Sequence, residues 1–170
     1  MEETVKQGVR PAPVAEPVES GASPRVLAEP IPTSSGRLLD RLFGRDDITL
    51  VRHEVSSRLS AAGLAGDRLH GFVLAVNEVV TNVVLHAGGS GRLLLRVAGP
   101  SAWCTVTDSG SGIPARFLTD LEVPEAFEVG GRGLWLAQQL CDEVTVATGP
   151  IGTTVGLRIL LATPGDTARK

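Results

Sequence analysis

The chain has 170 residues and a formal charge of −3, room for one ordinary domain plus a tail, without the basic stripe that direct nucleic-acid binding favours. Hydrophobic residues make up 42% and aromatic ones only 4%, with no tyrosine, so a core has to be built from Leu, Val, Ala and Ile. No run of about 18 apolar residues is present and the start of the chain lacks a signal-peptide apolar region, so a soluble cytoplasmic protein without membrane contact is expected.

Residues 1–35 carry Pro11, Pro13, Pro17, Pro24, Pro30 and Pro32 among Glu, Ser and Val. Proline removes a backbone donor and fixes its own φ, which forbids a long helix or a central strand, so 1–35 reads as a disordered tail. The ordered domain is expected over 36–161. Arg37 to Phe43 predicts a first strand. Asp46 or Asp47 then offers an N-cap, and Ile48, Val51, Val55, Leu59 and Ala62 recur at helical spacing up to Gly63.

A second, longer helix is expected from Gly66 or Asp67 to about His86. Gly88-Gly89-Ser90-Gly91 turns the chain, and strands at Arg92–Ala98 and Ala102–Thr107 flank a Gly99-Pro100 turn. A loop region follows over 108–131. A helix is expected from Gly133 to about Asp142, and then a hairpin of Val144–Thr148 and Thr153–Leu161 around Gly149-Pro150-Ile151-Gly152. Residues 162–170 read as a flexible tail. Cys104 and Cys141 sit in apolar runs outside any CxxC spacing and are expected to be reduced core thiols. The mixture of helices with hairpin-linked strands predicts an α+β two-layer sandwich with a mostly antiparallel mixed sheet and the helices on one face.

Three short stretches carry chemistry. On the second helix, Glu78, Asn82 and His86 recur every four residues among Val76, Val79, Val80, Val83 and Val84. Four residues advance about 40° past one turn, so the three polar groups share a side of an otherwise apolar cylinder. Polar groups in such a wall need partners or a task, and a carboxylate one turn from a neutral oxygen can hold a hydroxyl or water beside a hard metal ion. His86 is expected only to pack or bond locally. After the third strand comes Asp108-Ser109-Gly110-Ser111-Gly112, a carboxylate beside a loop whose backbone can approach a flat ligand bearing an exocyclic amine. Finally, Gly130-Gly131-Arg132-Gly133 precedes a helix, where free amides and the helix dipole favour phosphate and Arg132 adds a charged donor. No GK[ST] follows, so this is not a Walker loop.

In this order, Glu78-x-x-x-Asn82, Asp108-x-Gly110-x-Gly112 and Gly131-x-Gly133 resemble the N, G1 and G2 boxes of the GHKL ATP-binding superfamily, which joins gyrase-type and histidine-kinase-type ATPases in one Bergerat-type fold. Gly152-Thr153-Thr154-Val155 resembles its late Gly-Thr element. The phrases LAVNEVVTN and GGRGLWLAQQLCDEV are most similar to bacterial anti-sigma factor serine/threonine kinases and small actinobacterial ATP-binding relatives. The resemblance covers about 36–161. It implies ATP and Mg²⁺ as cofactors, Glu78 as general base and Asn82 as the Mg²⁺ ligand. It also implies Asp108, Gly110 and Gly112 at the adenine, Gly131, Arg132 and Gly133 at the phosphates, and Thr154 at the adenine end.

One departure stands out: the stretch 113–130 has Arg116 near its start but ends Glu128-Val129-Gly130, where the best-known kinases place a basic residue. Arg116 or Arg132 would have to meet the γ-phosphate instead. The expected function is a regulatory kinase that phosphorylates a serine on an anti-sigma antagonist (STAS-like) protein and binds a sigma factor or similar regulator, with homodimerisation possible. The alternative is a nucleotide-binding interaction module with little turnover. The catalytic half of a sensor histidine kinase is a third reading, but His53 beside Glu54 is too little for a phospho-acceptor helix.

Overall fold

A computed structural model describes residues 36–114 and 132–161; the two expected tails, 1–35 and 162–170, lie outside the described residues. Strand β1 (Gly36–Gly44) runs through a short 3-10 turn into α1 (Ile48–Ala61), which is followed by α2 (Gly66–His86). Then come β2 (Ser90–Ala98), β3 (Ser101–Asp108), α3 (Arg132–Leu140), β4 (Glu143–Gly149) and β5 (Gly152–Leu160). These elements match the expected ones to within a few residues.

Helix α2 contains six valines, although β-branched side chains lose χ1 freedom in a helix. Burial overrides that preference. Val73, Val76, Val79, Val80, Val83 and Val84 are all in the core, with Phe72 fully buried among them. The helix is long and apolar enough to cross a membrane by length and composition, but α1 and α3 flank it and the sheet lies beneath it. It ends where Gly88 and Gly89 take φ of +86° and +87°, a conformation that a β-carbon opposes. At the other helix start, Asp47 does not cap α1. Its carboxylate accepts the Gly44 N–H at 2.9 Å and an Arg41 N–H at 3.0 Å, and Arg41 also reaches Glu54, pinning β1 to α1.

The sheet order is β1-β2-β3-β5-β4. Every pairing among the described strands is antiparallel, in keeping with the mostly antiparallel sheet expected. The reason is the pairing of returns: two helices carry β1 back to β2, and two-residue turns make the β2–β3 and β4–β5 hairpins. Strands β3 and β4 run the same way, but β5 lies between them. One sheet face, with Leu93, Leu95, Cys104, Val106, Val155, Leu157 and Ile159, is buried beneath the helices. The opposite face carries Trp103 with the Arg158 guanidinium 5.5 Å from its ring. This is the α+β sandwich with helices on one face. Both cysteines are free thiols. Burial pushes the Cys141 thiol up to about 12, with Asp142 adding to the shift, and raises that of Cys104 further.

Candidate functional site

The α2 wall, the end of β3, the start of β5 and the start of α3 surround a cavity of about 310 Å³. Helical periodicity makes the first wall: Val79, Asn82, Val83 and His86 recur at three and four residues and line it together. Asp108 stands at the end of β3, with Thr153 and Val155 entering from β5. The loop after Asp108 contributes Ser111, Gly112, Ile113 and Pro114, and Leu134 closes the side next to α3. Most of this lining is apolar, with polar groups at a few places, the composition typical of a small-molecule site.

Asp108 gives its two oxygens different surroundings. Oδ1 accepts the Gly110 N–H at 2.8 Å and the Thr153 N–H at 3.1 Å, fixing the glycine loop to the β4–β5 hairpin. Oδ2 has no hydrogen-bond partner among the described residues and remains available to a donor in the cavity. The loop is then pressed against the hairpin. Gly112 has φ +85°, and a β-carbon there would lie 2.5 Å from the Gly149 carbonyl oxygen, so only glycine fits. Just beyond it, the Ile113 N–H donates to Thr148 Oγ1 at 2.8 Å, and that hydroxyl lies 2.9 Å from the Thr153 hydroxyl.

Thr154, expected at the adenine end, points the other way. It pairs with Thr107 across the open sheet face, hydroxyl to hydroxyl at 3.2 Å, while Thr153 is buried and lines the cavity. Successive strand residues face opposite sides of the sheet, so a shift of one residue exchanges cavity for solvent. The sequence held the signal: Thr153 shares its parity with Val155, Leu157 and Ile159, the buried face of β5.

At the far end of the cavity, the first turn of α3 sits on the polar stripe of α2. A β-carbon on Gly133 would come 2.9 Å from Asn82 Nδ2 and 3.4 Å from Glu78 Oε2. Asn82 lines the cavity, whereas half-buried Glu78 stands one turn behind it, outside the lining. His86, expected only to pack locally, instead belongs to the cavity wall while remaining exposed. Arg132 opens α3, but its side chain lies outside the described residues, as do Gly131, Arg116 and the rest of 115–131. No three His, Cys, Asp or Glu side chains gather among the described residues. The carboxamide oxygen of Asn82, with Glu78 one turn behind it, is a donor of the kind that a hard ion keeping several waters takes.

A family model described as the histidine kinase-like ATPase domain matches residues 45–159, which is more than half of the chain. Among solved structures, the RsbU and RsbW domains of a Mycobacterium tuberculosis protein are similar with a TM-score of 0.54 at 20% identity, over 74% of this chain and 33% of that one. The histidine kinase domain of a blue-light activated kinase from Erythrobacter litoralis is similar with a TM-score of 0.46 at 25% identity, over 67% of this chain and 61% of that one. The first likeness bears on the fold, and this chain spans about a third of that structure's length. No curated protein matches the chain.

Proposed function

The chain belongs to the histidine kinase-like ATPase domain family, and from that premise we propose that it binds Mg-ATP in this cavity and acts as a regulatory serine/threonine protein kinase of the anti-sigma factor type. One observation carries the reading: a carboxylate oxygen without a described partner stands at one end of the cavity, and a helix N-terminus stands over Asn82 at the other. Asp108 Oδ2 accepts the exocyclic amine of adenine. Val79, Ile113, Leu134 and Val155 give the base its apolar surroundings. The amide of Gly133 at the start of α3 meets the phosphates, where the helix dipole favours negative charge. Asn82 would hold the Mg²⁺, whose charge would offset that of the phosphates.

In this account Glu78 accepts the proton of the attacking serine hydroxyl. The substrate is a serine on an antagonist protein of the STAS-like kind, and a sigma factor or similar regulator is the second partner. The test is incubation with γ-labelled Mg-ATP and candidate antagonists encoded nearby. Phosphoserine on one of them, lost in Glu78→Gln, is the expected result. No labelled serine with any candidate would sink the kinase assignment.

A second reading is supported by the place of Glu78, behind the cavity rather than in its lining. In it, nucleotide occupancy shapes a partner-binding surface with little turnover. Glu78→Gln separates the two: a pure binder keeps both nucleotide affinity and partner control in that variant, whereas a kinase loses transfer.

A further inference from the structure

We propose that the open face of the sheet, on the side away from the helices, is a docking surface for an acidic segment of a partner protein. It stands apart from the nucleotide reading above, because the cavity belongs to the helix side. The strand registers build the face. Arg37, Arg96, Trp103, Arg158 and Glu143 stand opposite one another in a row across all five strands. Residues two apart on a strand share a face. The next row therefore holds Leu94, Thr105, Gly156 and Thr145, and the irregularity after Arg37 brings Asp40 into it.

Along this second row the surface is low. Gly156 has no side chain, and a β-carbon there would lie 2.5 Å from Thr145 Oγ1. The long side chains of Arg96, Trp103 and Arg158 stand beside a shallow floor of Leu94, Thr105 and Gly156. That shape has room for an extended segment of another chain.

Charge decides what kind of segment. The chain carries −3 overall, yet this face sets Arg37, Arg92, Arg96 and Arg158 against only Asp40 and Glu143. Both carboxylates are already engaged. Asp40 accepts from Arg92 Nε and Nη2 at 2.8 Å each, with Arg37 at 3.1 Å. Glu143 accepts from Arg158 Nε at 2.7 Å. Arg96 stands between them without an ion pair among the described residues. Its Nε is closed off from solvent and has no acceptor, and an unmet buried donor is costly.

Arg96 as a whole is only half-buried, so its side chain can turn that edge to a carboxylate arriving from outside. Arg92 and Arg158 already hold Asp40 and Glu143 through the same edge. Trp103 lies beside Arg96, half-buried, with the Arg158 guanidinium 5.5 Å from its ring, and offers an apolar contact next to the charge. Tryptophan and arginine are enriched among the residues that dominate binding at protein interfaces. A second copy of this face would meet it with the same excess of positive charge. Nucleic acid would bring a run of phosphates against Asp40 and Glu143 and find one unpaired guanidinium.

Fluorescence anisotropy on the full chain tests this with short synthetic peptides in which Asp and Glu flank a central leucine or phenylalanine. Matched Lys peptides and a single-stranded oligonucleotide are titrated beside them. The acidic peptides should bind, more weakly as salt is raised, and the Lys peptides should not. Arg96→Gln and Trp103→Ala should each weaken the acidic peptides about tenfold. Arg52→Gln, on α1 at the other side of the molecule, should leave them unchanged.

Acidic peptides that fail to bind the unaltered chain, or bind it no better than Lys peptides do, overturn the proposal whether or not the variants fold. Equal binding by the unaltered chain and a folded Arg96→Gln protein also overturns it. Oligonucleotide binding lost in Arg96→Gln would assign the face to nucleic acid instead. Self-association lost in that variant, read by sedimentation, would assign it to a second copy.

Discussion

Gly133 is the residue on which the Asn82 end of the site depends. It lets the first turn of α3 approach Asn82 and Glu78 so closely that a β-carbon would come 2.9 Å from Asn82 Nδ2. Neither neighbour can withdraw freely, because both ride on a helix anchored in the core by Val76, Val79, Val80 and Val83. Gly133→Ala therefore has to push the α3 terminus outward or turn the Asn82 carboxamide. Overpacking of this kind costs about 1–3 kcal/mol. The expected outcome is that loss of stability in urea together with a drop of about tenfold or more in Mg-ATP affinity. An alanine variant that binds nucleotide normally would show that α3 does not contribute its amide there. Asp108 shows the same economy of placement: one oxygen organises two backbone segments, which leaves the other for a ligand.

At the scale of elements, α2 does two jobs, and mutation separates them. Phe72 is fully buried and Leu74, two residues on, is 44% exposed. Phe72→Ala should cost about 3–5 kcal/mol and Leu74→Ala less than about 1 kcal/mol, both read by chemical denaturation. Equal effects would mean that the helix is rotated about its axis. The β1–β2 pair gives a pH-dependent case. Asp40 takes two N–H bonds from Arg92, each 2.8 Å, with Arg37 at 3.1 Å. The bond to Arg92 is the first cause holding its carboxyl below the ordinary range, and nearby charges add to it against a desolvation penalty. A lowered folded pKa stabilises above the unfolded value, about 4, and that contribution disappears as pH falls through the folded value. Asp40→Asn should therefore melt earlier than the unaltered chain at pH 7, and the difference should fade as the pH falls well below the ordinary carboxylate range. A difference that persists in acid would assign the effect to packing instead.

Much of this was legible in the sequence, because it is local. Glycines and helical spacing bracket α1 and α2, the Gly99-Pro100 and Pro150-Ile151 turns mark the hairpins, and Glu78, Asn82, Asp108 and Gly133 lie on the elements expected for them. What was not legible depends on contacts distant along the chain. The choice of Thr153 over Thr154 turns on which face of β5 meets the helices. The Asp47 carboxylate looked like a cap for α1, yet Gly44 and Arg41 on the preceding strand hold it. His86 belongs to the cavity because Asp108 and the glycine loop come to stand opposite it.

For the whole molecule, the decisive step is the placing of β5 between β3 and β4. It brings Thr153 beside Asp108, although 45 residues separate them, and it lets α3 return over α2. No local signal in the sequence fixes that order. The central claim is that this arrangement is an ATP site read at one end by Asp108 and at the other by Mg²⁺. Calorimetric titration with ATP, with and without Mg²⁺, on the unaltered chain and on Asp108→Asn tests it most directly. An asparagine keeps a carbonyl for the backbone donors but sets an NH₂ against the adenine amine. The account predicts saturable ATP binding strengthened by Mg²⁺ in the unaltered chain, and weaker by on the order of 100-fold in Asp108→Asn. ATP binding that is absent from the unaltered chain, or equal in the two proteins, would contradict it.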